Sequence, residues 1–278
     1  MENRHLLLIG QGYVGREIVN MARENGWAVT GVSRSGSNGS EKGDVSDLES
    51  MQQLSQRVKP THVVHCASAS GGGVEGYERV YRDGCKNLTE VFPEAEILFT
   101  SSTSVYAQVD GSVVDEESET APQSVTGKLM LEAEQAVLKA GGKVARLAGI
   151  YGDGRSYLLR RFFAGDAVIE GDGKRYVNYI HQKDAASACL FLLENSADAR
   201  IYNVCDSESL SQKDTYAVLS ETFSLPMPPF VDKKIASKRG WSNKTVSNKK
   251  ITSLGWSPTF PRFVDAAPAV AKSLGLTP

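Results

Sequence analysis

The stretch His5-Leu6-Leu7-Leu8-Ile9-Gly10-Gln11-Gly12-Tyr13-Val14-Gly15 decides the fold. A short apolar run that ends at glycine suits a buried strand. Three glycines then follow in the spacing G-x-G-x-x-G, and residues 14–25 carry an amphipathic helical pattern. In a strand–turn–helix the three glycines serve a tight turn, close backbone approach to a pyrophosphate, and close packing of helix on strand. The helix start adds amides and a partial positive charge suited to phosphate. The stretch predicts a dinucleotide-binding turn, with Gly10, Gly12, Tyr13, Val14 and Gly15 against the ligand.

Working outward, the second strand (27–32) ends on Ser33-Arg34, about twenty residues past the glycines, where a ribose-contacting residue belongs. An acidic side chain there accepts from the 2′-hydroxyl of NAD(H). Ser33 and Arg34 instead favour NADP(H), because a guanidinium binds a 2′-phosphate through a charge-assisted fork. Asp44-Val45 is placed to bracket the adenine edge. Further strands are predicted at 62–66, 96–100 and 143–147, with helices at 47–58, 77–91 and 126–140 between them. Right-handed crossovers make this an α/β protein, a Rossmann-type doubly wound parallel sheet. After Ile150 the rhythm changes: a helix at 157–163, a Gly171–Gly173 turn, a strand at 176–180, a helix at 184–194, a strand at 201–204, and helices at 212–223 and 263–274. The expected domains are 1–150, dinucleotide-binding, and 151–278, mainly a smaller substrate lobe, with the strand and helix near 176–194 returning to the first.

Composition narrows the classes. Of 278 residues, 41% are hydrophobic and 23% charged, the balance of a soluble globular protein. A net charge of −2 gives no electrostatic footprint for nucleic acid. The apolar run at 6–9 is far too short for a membrane span or signal core. Cys66, Cys85, Cys189 and Cys205 show no metal-ligand spacing and read as reduced thiols in a cytoplasmic protein, with no metal site expected.

Taken in order, several segments resemble the extended short-chain dehydrogenase/reductase family, the NAD(P)-dependent epimerases and dehydratases. They are Gly10 to Gly15, Gly43-Asp44-Val45, His65-Cys66-Ala67-Ser68 and Thr100-Ser101-Ser102-Thr103-Ser104-Val105-Tyr106. Arg146 to Gly152, Tyr179-Ile180-His181-Gln182-Lys183-Asp184 and Leu254-Gly255-Trp256-Ser257-Pro258 follow. The resemblance spans nearly the whole chain. It implies that Cys66, Ala67 and Ser68 lie beside the cofactor, that Ser102 hydrogen-bonds the reacting oxygen of the substrate, and that a homodimer forms through two helices.

The family completes its site with Tyr-x-x-x-Lys on the next helix, and here the sequence departs. No tyrosine lies between Tyr106 and Tyr151. Aligning Lys128 with the family lysine puts Ser124 at the tyrosine position; a shift of two puts Thr126 there. An aliphatic hydroxyl ionises several pK units above a phenol and cannot take over its proton transfer. Lys128 is left to orient the ribose or to act as a base. Tyr106 and Tyr151 are alternative donors at positions where packing or substrate contact is the ordinary role. His181 and Asp184 suggest a catalytic pair, but an aspartate opening a helix more simply caps amides. By the resemblance Arg155, Arg160, Arg161 and Arg175 are candidates for a substrate diphosphate. The basic stretch 233–250 reads as a solvated face. Two functions stay open: an oxidoreductase, epimerase or dehydratase acting on a nucleotide sugar or similar small molecule, and a non-catalytic NADP(H)-binding sensor or regulator.

Overall fold

A computed structural model of the chain describes residues 4–36, 39–69, 71–195, 200–232 and 242–277. In β1 (His5–Ile9) the residues from Leu6 to Ile9 are all buried. A strand buried on both faces belongs inside a parallel sheet. β1 accordingly pairs in parallel with β2 (Ala28–Ser33) on one side and β4 (His62–His65) on the other. β3 (Glu41–Lys42) extends β2, and β5 (Glu96–Ser102) extends β4, again in parallel. With β7 (Lys143–Leu147) and β11 (Ile201–Val204) the sheet has seven strands in the order β11-β7-β5-β4-β1-β2-β3. The order reverses between β1 and β4, the switch point outside which α/β proteins bind ligands. The Rossmann-type sheet predicted from the sequence is therefore present.

The crossover helices include α1 (Tyr13–Glu24), α2 (Leu48–Arg57) and α5 (Val125–Lys139). The helix predicted over 77–91 starts earlier and is not uniform. It comprises α3 (Gly73–Tyr77), a π-helical segment (Glu78–Asp83) and α4 (Gly84–Val91). The Val80 carbonyl in the π segment pairs with Nε2 of His65 at 2.8 Å. π turns rephase a helix locally.

Contacts divide the chain into two units. The first comprises Met1–Val105, Thr120–Arg146 and Ala185–Tyr202, and the second Tyr106–Glu119, Leu147–Asp184 and Asn203–Pro278. In the first, Arg146 forks onto Glu134, with Nη2 at 2.7 Å and Nε at 3.1 Å, while Ser101 donates to the same carboxylate. All three residues are buried. They tie α5 to β5 and β7.

The second unit holds three short parallel strand pairs. β6 (Val113–Val114) pairs with β13 (Thr245–Val246), β8 (Gly149–Tyr151) with β10 (Tyr179–His181), and β9 (Ile169–Glu170) with β12 (Phe230–Val231). Its core joins Tyr151, Leu159, Phe162, Tyr216 and Phe263, from β8, α6 (Tyr157–Phe163), α8 (Gln212–Phe223) and α10 (Phe263–Ser273). One expectation is corrected here. The strand predicted near 176–180 does not return to the large sheet, because Tyr179, Ile180 and His181 pair with Gly149, Ile150 and Tyr151. Only the helix after it, α7 (Gln182–Glu194), contributes to the first unit, from Ala185 on.

The basic stretch is corrected as well. Lys233, Lys234, Lys238 and Arg239 lie outside the described residues. Lys244 is not solvated: it is 2% exposed, and its Nζ donates to the Tyr106 carbonyl at 2.9 Å.

Candidate dinucleotide and active site

The glycine turn shows its geometry in measurable form. Gly10 has φ +96°, and a Cβ there would lie 2.5 Å from the Cα of Ala67. A Cβ on Gly15 would lie 2.1 Å from the Gly10 carbonyl oxygen. Both contacts are too short for any side chain, so these glycines hold β1, α1 and the end of β4 together. Gly12 differs: a Cβ there would meet nothing within 4 Å. It is the N-cap of α1, no side chain caps this end, and the first turn holds no acid. An open, uncapped and acid-free helix start fits a pyrophosphate. Val14 is buried, so its side chain packs into the core.

The surrounding backbone ties the turn to its neighbours. The Gly10 amide donates to the Val32 carbonyl at 3.2 Å, and the Cys66 amide to the Ile9 carbonyl at 2.9 Å. Gln11 lies across Gly31, where a Cβ would fall 1.3 Å from its Nε2. That lock between turn and β2 is not legible in the sequence, since a single glycine inside a strand carries no pointer to its partner. At the end of β2 the Ser33 hydroxyl lies 2.7 Å from that of Ser40 and accepts from the Gly36 amide at 3.1 Å. Arg34 is exposed. Ser37 and Asn38, within the serine-glycine loop, lie outside the described residues.

Beyond β3, the Gly43 amide donates to the Ser33 carbonyl at 3.0 Å, which sets Asp44 beside the β2 end. Asp44 accepts from the Ser46 amide at 3.0 Å and hydroxyl at 2.7 Å. Burial opposes its charge, but these bonds and the Arg79 and Arg34 guanidiniums hold its carboxyl below the ordinary value. Val45 is buried, and its carbonyl accepts from Asn87 at 2.9 Å. At the end of β4, Cys66 faces the Thr100 hydroxyl and the Gly15 amide, and burial pushes its thiol up to about 11. Ala67 abuts Gly10, Ser68 is exposed, and the Ala69 amide donates to the Tyr81 hydroxyl at 3.3 Å. His65 is fully buried, and desolvation lowers its pKa to about 4, so the ring is neutral.

The catalytic candidates are less completely assembled. Ser102 closes β5, half-buried, and its Oγ accepts from the Ser104 amide at 3.2 Å. Ser124, which with Thr126 is one of the two residues expected where the family tyrosine stands, is the N-cap of α5 and accepts from the Gly127 amide at 3.1 Å. Lys128 is exposed on the first turn of that helix. Of the substitute tyrosines, Tyr106 is buried and donates to Asn203 at 2.9 Å. Tyr151 is buried among Tyr179, His181 and Phe263, and burial raises its phenol strongly, the wrong direction for a proton donor at neutral pH. His181 packs at 4.3 Å against Phe260, and burial lowers its pKa. Asp184 accepts from the amides of Thr259 at 2.8 Å and Phe260 at 3.0 Å. The expected capping thus serves a distant loop.

Among the four arginines, Arg155 and Arg160 are exposed, and Arg161 donates to the Asp166 carbonyl. Arg175 lines a cleft of about 680 Å³ within the second unit, beside Glu170, Tyr176, Ser211, Asp214 and Asn243. Its Nε is buried 4.0 Å from Glu170, too far for a hydrogen bond. Among the described residues no group of His, Cys, Asp and Glu could hold a metal, and no helix is long and apolar enough to cross a membrane.

A family model described as the NAD dependent epimerase/dehydratase family matches residues 6–205. Protein YeeZ of Escherichia coli K12 is 28% identical over 248 residues, covering 82% of this chain and 86% of that protein. Methionine adenosyltransferase 2 subunit beta of Xenopus tropicalis is 25% identical over 281 residues, covering 91% and 82% respectively. Among solved structures, the UDP-glucose 4-epimerase of Thermotoga maritima with UDP-glucose superposes with a TM-score of 0.80 at 20% identity, over 98% of both chains.

Proposed function

The chain belongs to the NAD-dependent epimerase/dehydratase family, and from that membership we propose that it is an oxidoreductase or epimerase holding NADP(H) on the Gly10–Gly15 turn and acting on a nucleotide sugar or similar small molecule. The supporting observation is the open space at Gly12 on an uncapped, acid-free helix start. Arg34 in place of an acid at the end of β2 supports the phosphorylated cofactor. In this reading Ser102 binds the reacting oxygen and Lys128 orients the nicotinamide ribose. The four free thiols suit a reducing cytoplasm, and a homodimer through two helices belongs to the same reading. The test is NADPH turnover against a panel of nucleotide sugars. Ser102→Ala should lower turnover about 10²-fold, the usual loss when one donor to a reacting oxygen is removed.

A second reading, a non-catalytic NADP(H)-binding regulator, is favoured by one observation. Ser124, which one alignment puts at the family tyrosine position, is used as a helix cap, and neither Tyr106 nor Tyr151 presents a hydroxyl poised to donate to a substrate. Tight NADPH binding without turnover, unchanged by Ser102→Ala, would decide for it.

A further inference from the structure

We propose that Arg79, on the π-helical segment, is a second guanidinium that acts with Arg34 to select the 2′-phosphate of NADP(H); the inference rests on the dinucleotide reading above. Nothing in the local sequence marks Arg79, and it reaches the site only through the fold. Its Nη2 donates to the Ser46 hydroxyl at 3.2 Å and lies 3.8 Å from Oδ2 of Asp44. Asp44 is fixed next to the β2 end by the pairing of Ser33 with Lys42 and by the bond from the Gly43 amide to the Ser33 carbonyl. Ser33 and Arg34 are the residues expected at the ribose. One carboxylate thus has a guanidinium from β2 and another from the π segment within electrostatic range, and both act to keep it ionised.

That arrangement bears on which dinucleotide is taken. An ionised Asp44 alone would repel a 2′-phosphate, whereas two arginines around it leave a net positive charge. Arg79 has 65% of its side chain exposed, and its contacts with Ser46 and Asp44 both use Nη2. The remaining donors suit a phosphate oxygen. Arg82, three residues on, is turned instead to Glu78 and Asp83.

The experiment is titration of the full chain with NADPH and NADH, followed by nicotinamide fluorescence, for the starting protein, Arg79→Ala, Arg79→Lys and Arg34→Ala. Thermal melts check that each variant is folded. The starting protein should prefer NADPH. Arg79→Ala should weaken NADPH about tenfold, the scale of one charge-assisted contact, and move NADH less than about twofold. Arg79→Lys should fall between. An equal loss for both dinucleotides would make Arg79 only a support for Asp44 and overturn the proposal. Loss of NADPH preference in Arg34→Ala with none in Arg79→Ala would overturn it while leaving the functional reading intact. Failure of the starting protein to bind either dinucleotide would overturn both.

Discussion

Adding one methyl group at Gly12 and at Gly15 should have opposite consequences, because the space around the two residues differs. At Gly15 a Cβ meets a backbone oxygen at 2.1 Å, so Gly15→Ala must push α1 off β1. A strained core contact of this kind costs about 1–3 kcal/mol, and the melting temperature should drop by several degrees. At Gly12 a Cβ meets nothing and φ is −76°, so Gly12→Ala should fold and melt like the starting protein. Its methyl group would occupy the space assigned to the pyrophosphate, and NADPH affinity should fall at least about tenfold, or about 1.4 kcal/mol. Melting curves and fluorescence titration separate the two effects. Unchanged NADPH affinity in Gly12→Ala would remove the main support for the cofactor site. The three glycines could be read from the sequence because backbone geometry restricts such positions to one residue type. Arg79 could not, because its partners Asp44 and Ser46 lie more than thirty positions away on another element.

Helices and strands in this chain are joined by a few buried polar ties, and the Glu134–Arg146–Ser101 cluster is the clearest. Arg146 begins a segment that the family resemblance marks, but its partner on α5 was not predicted. A helix-to-strand contact twelve positions apart follows neither the helical nor the strand period. Removing one partner leaves a buried charge without its counterpart, at a cost of about 3–5 kcal/mol. Glu134→Ala and Arg146→Ala should each lose stability on that scale in urea unfolding. The double variant should lose much less than the sum, because the stranded charge is then gone. Simple additivity would mean that the two side chains do not act as a pair. The long elements were predictable for the converse reason: β1, β7, α6, α8 and β11 have sustained apolar patterns and fall where expected. The two-residue strands β3, β6, β9, β12 and β13 are too short to show a period, and the parallel β8–β10 pairing depends on residues about thirty positions apart.

At the scale of the whole molecule, two buried bases, one in each unit, should contribute to how stability varies with pH. His65 in the first unit titrates at about 4 when folded against an ordinary value of 6.5. Between those values the unfolded chain binds more protons, so stability falls as pH drops from about 6.5 and the loss is complete near 4. The shift corresponds to roughly 3 kcal/mol. Lys244 in the second unit is lowered to about 8 from 10.5 by desolvation, and its Nζ donates to a carbonyl rather than to an acid. Here the folded state loses its proton first, so stability rises as pH climbs from 8 towards 10.5. Below pH 8 the buried charge is a standing cost. Lys244→Met keeps an unbranched side chain one atom shorter and removes the charge, so it should raise the melting temperature at pH 7 and abolish the alkaline rise. His65→Gln should make the acid limb shallower, leaving the part that comes from the buried His181 and from Asp44, and should leave the alkaline limb unchanged. Melting curves from pH 4 to 10 on both variants test this. An alkaline rise that persists in Lys244→Met would assign it to another group.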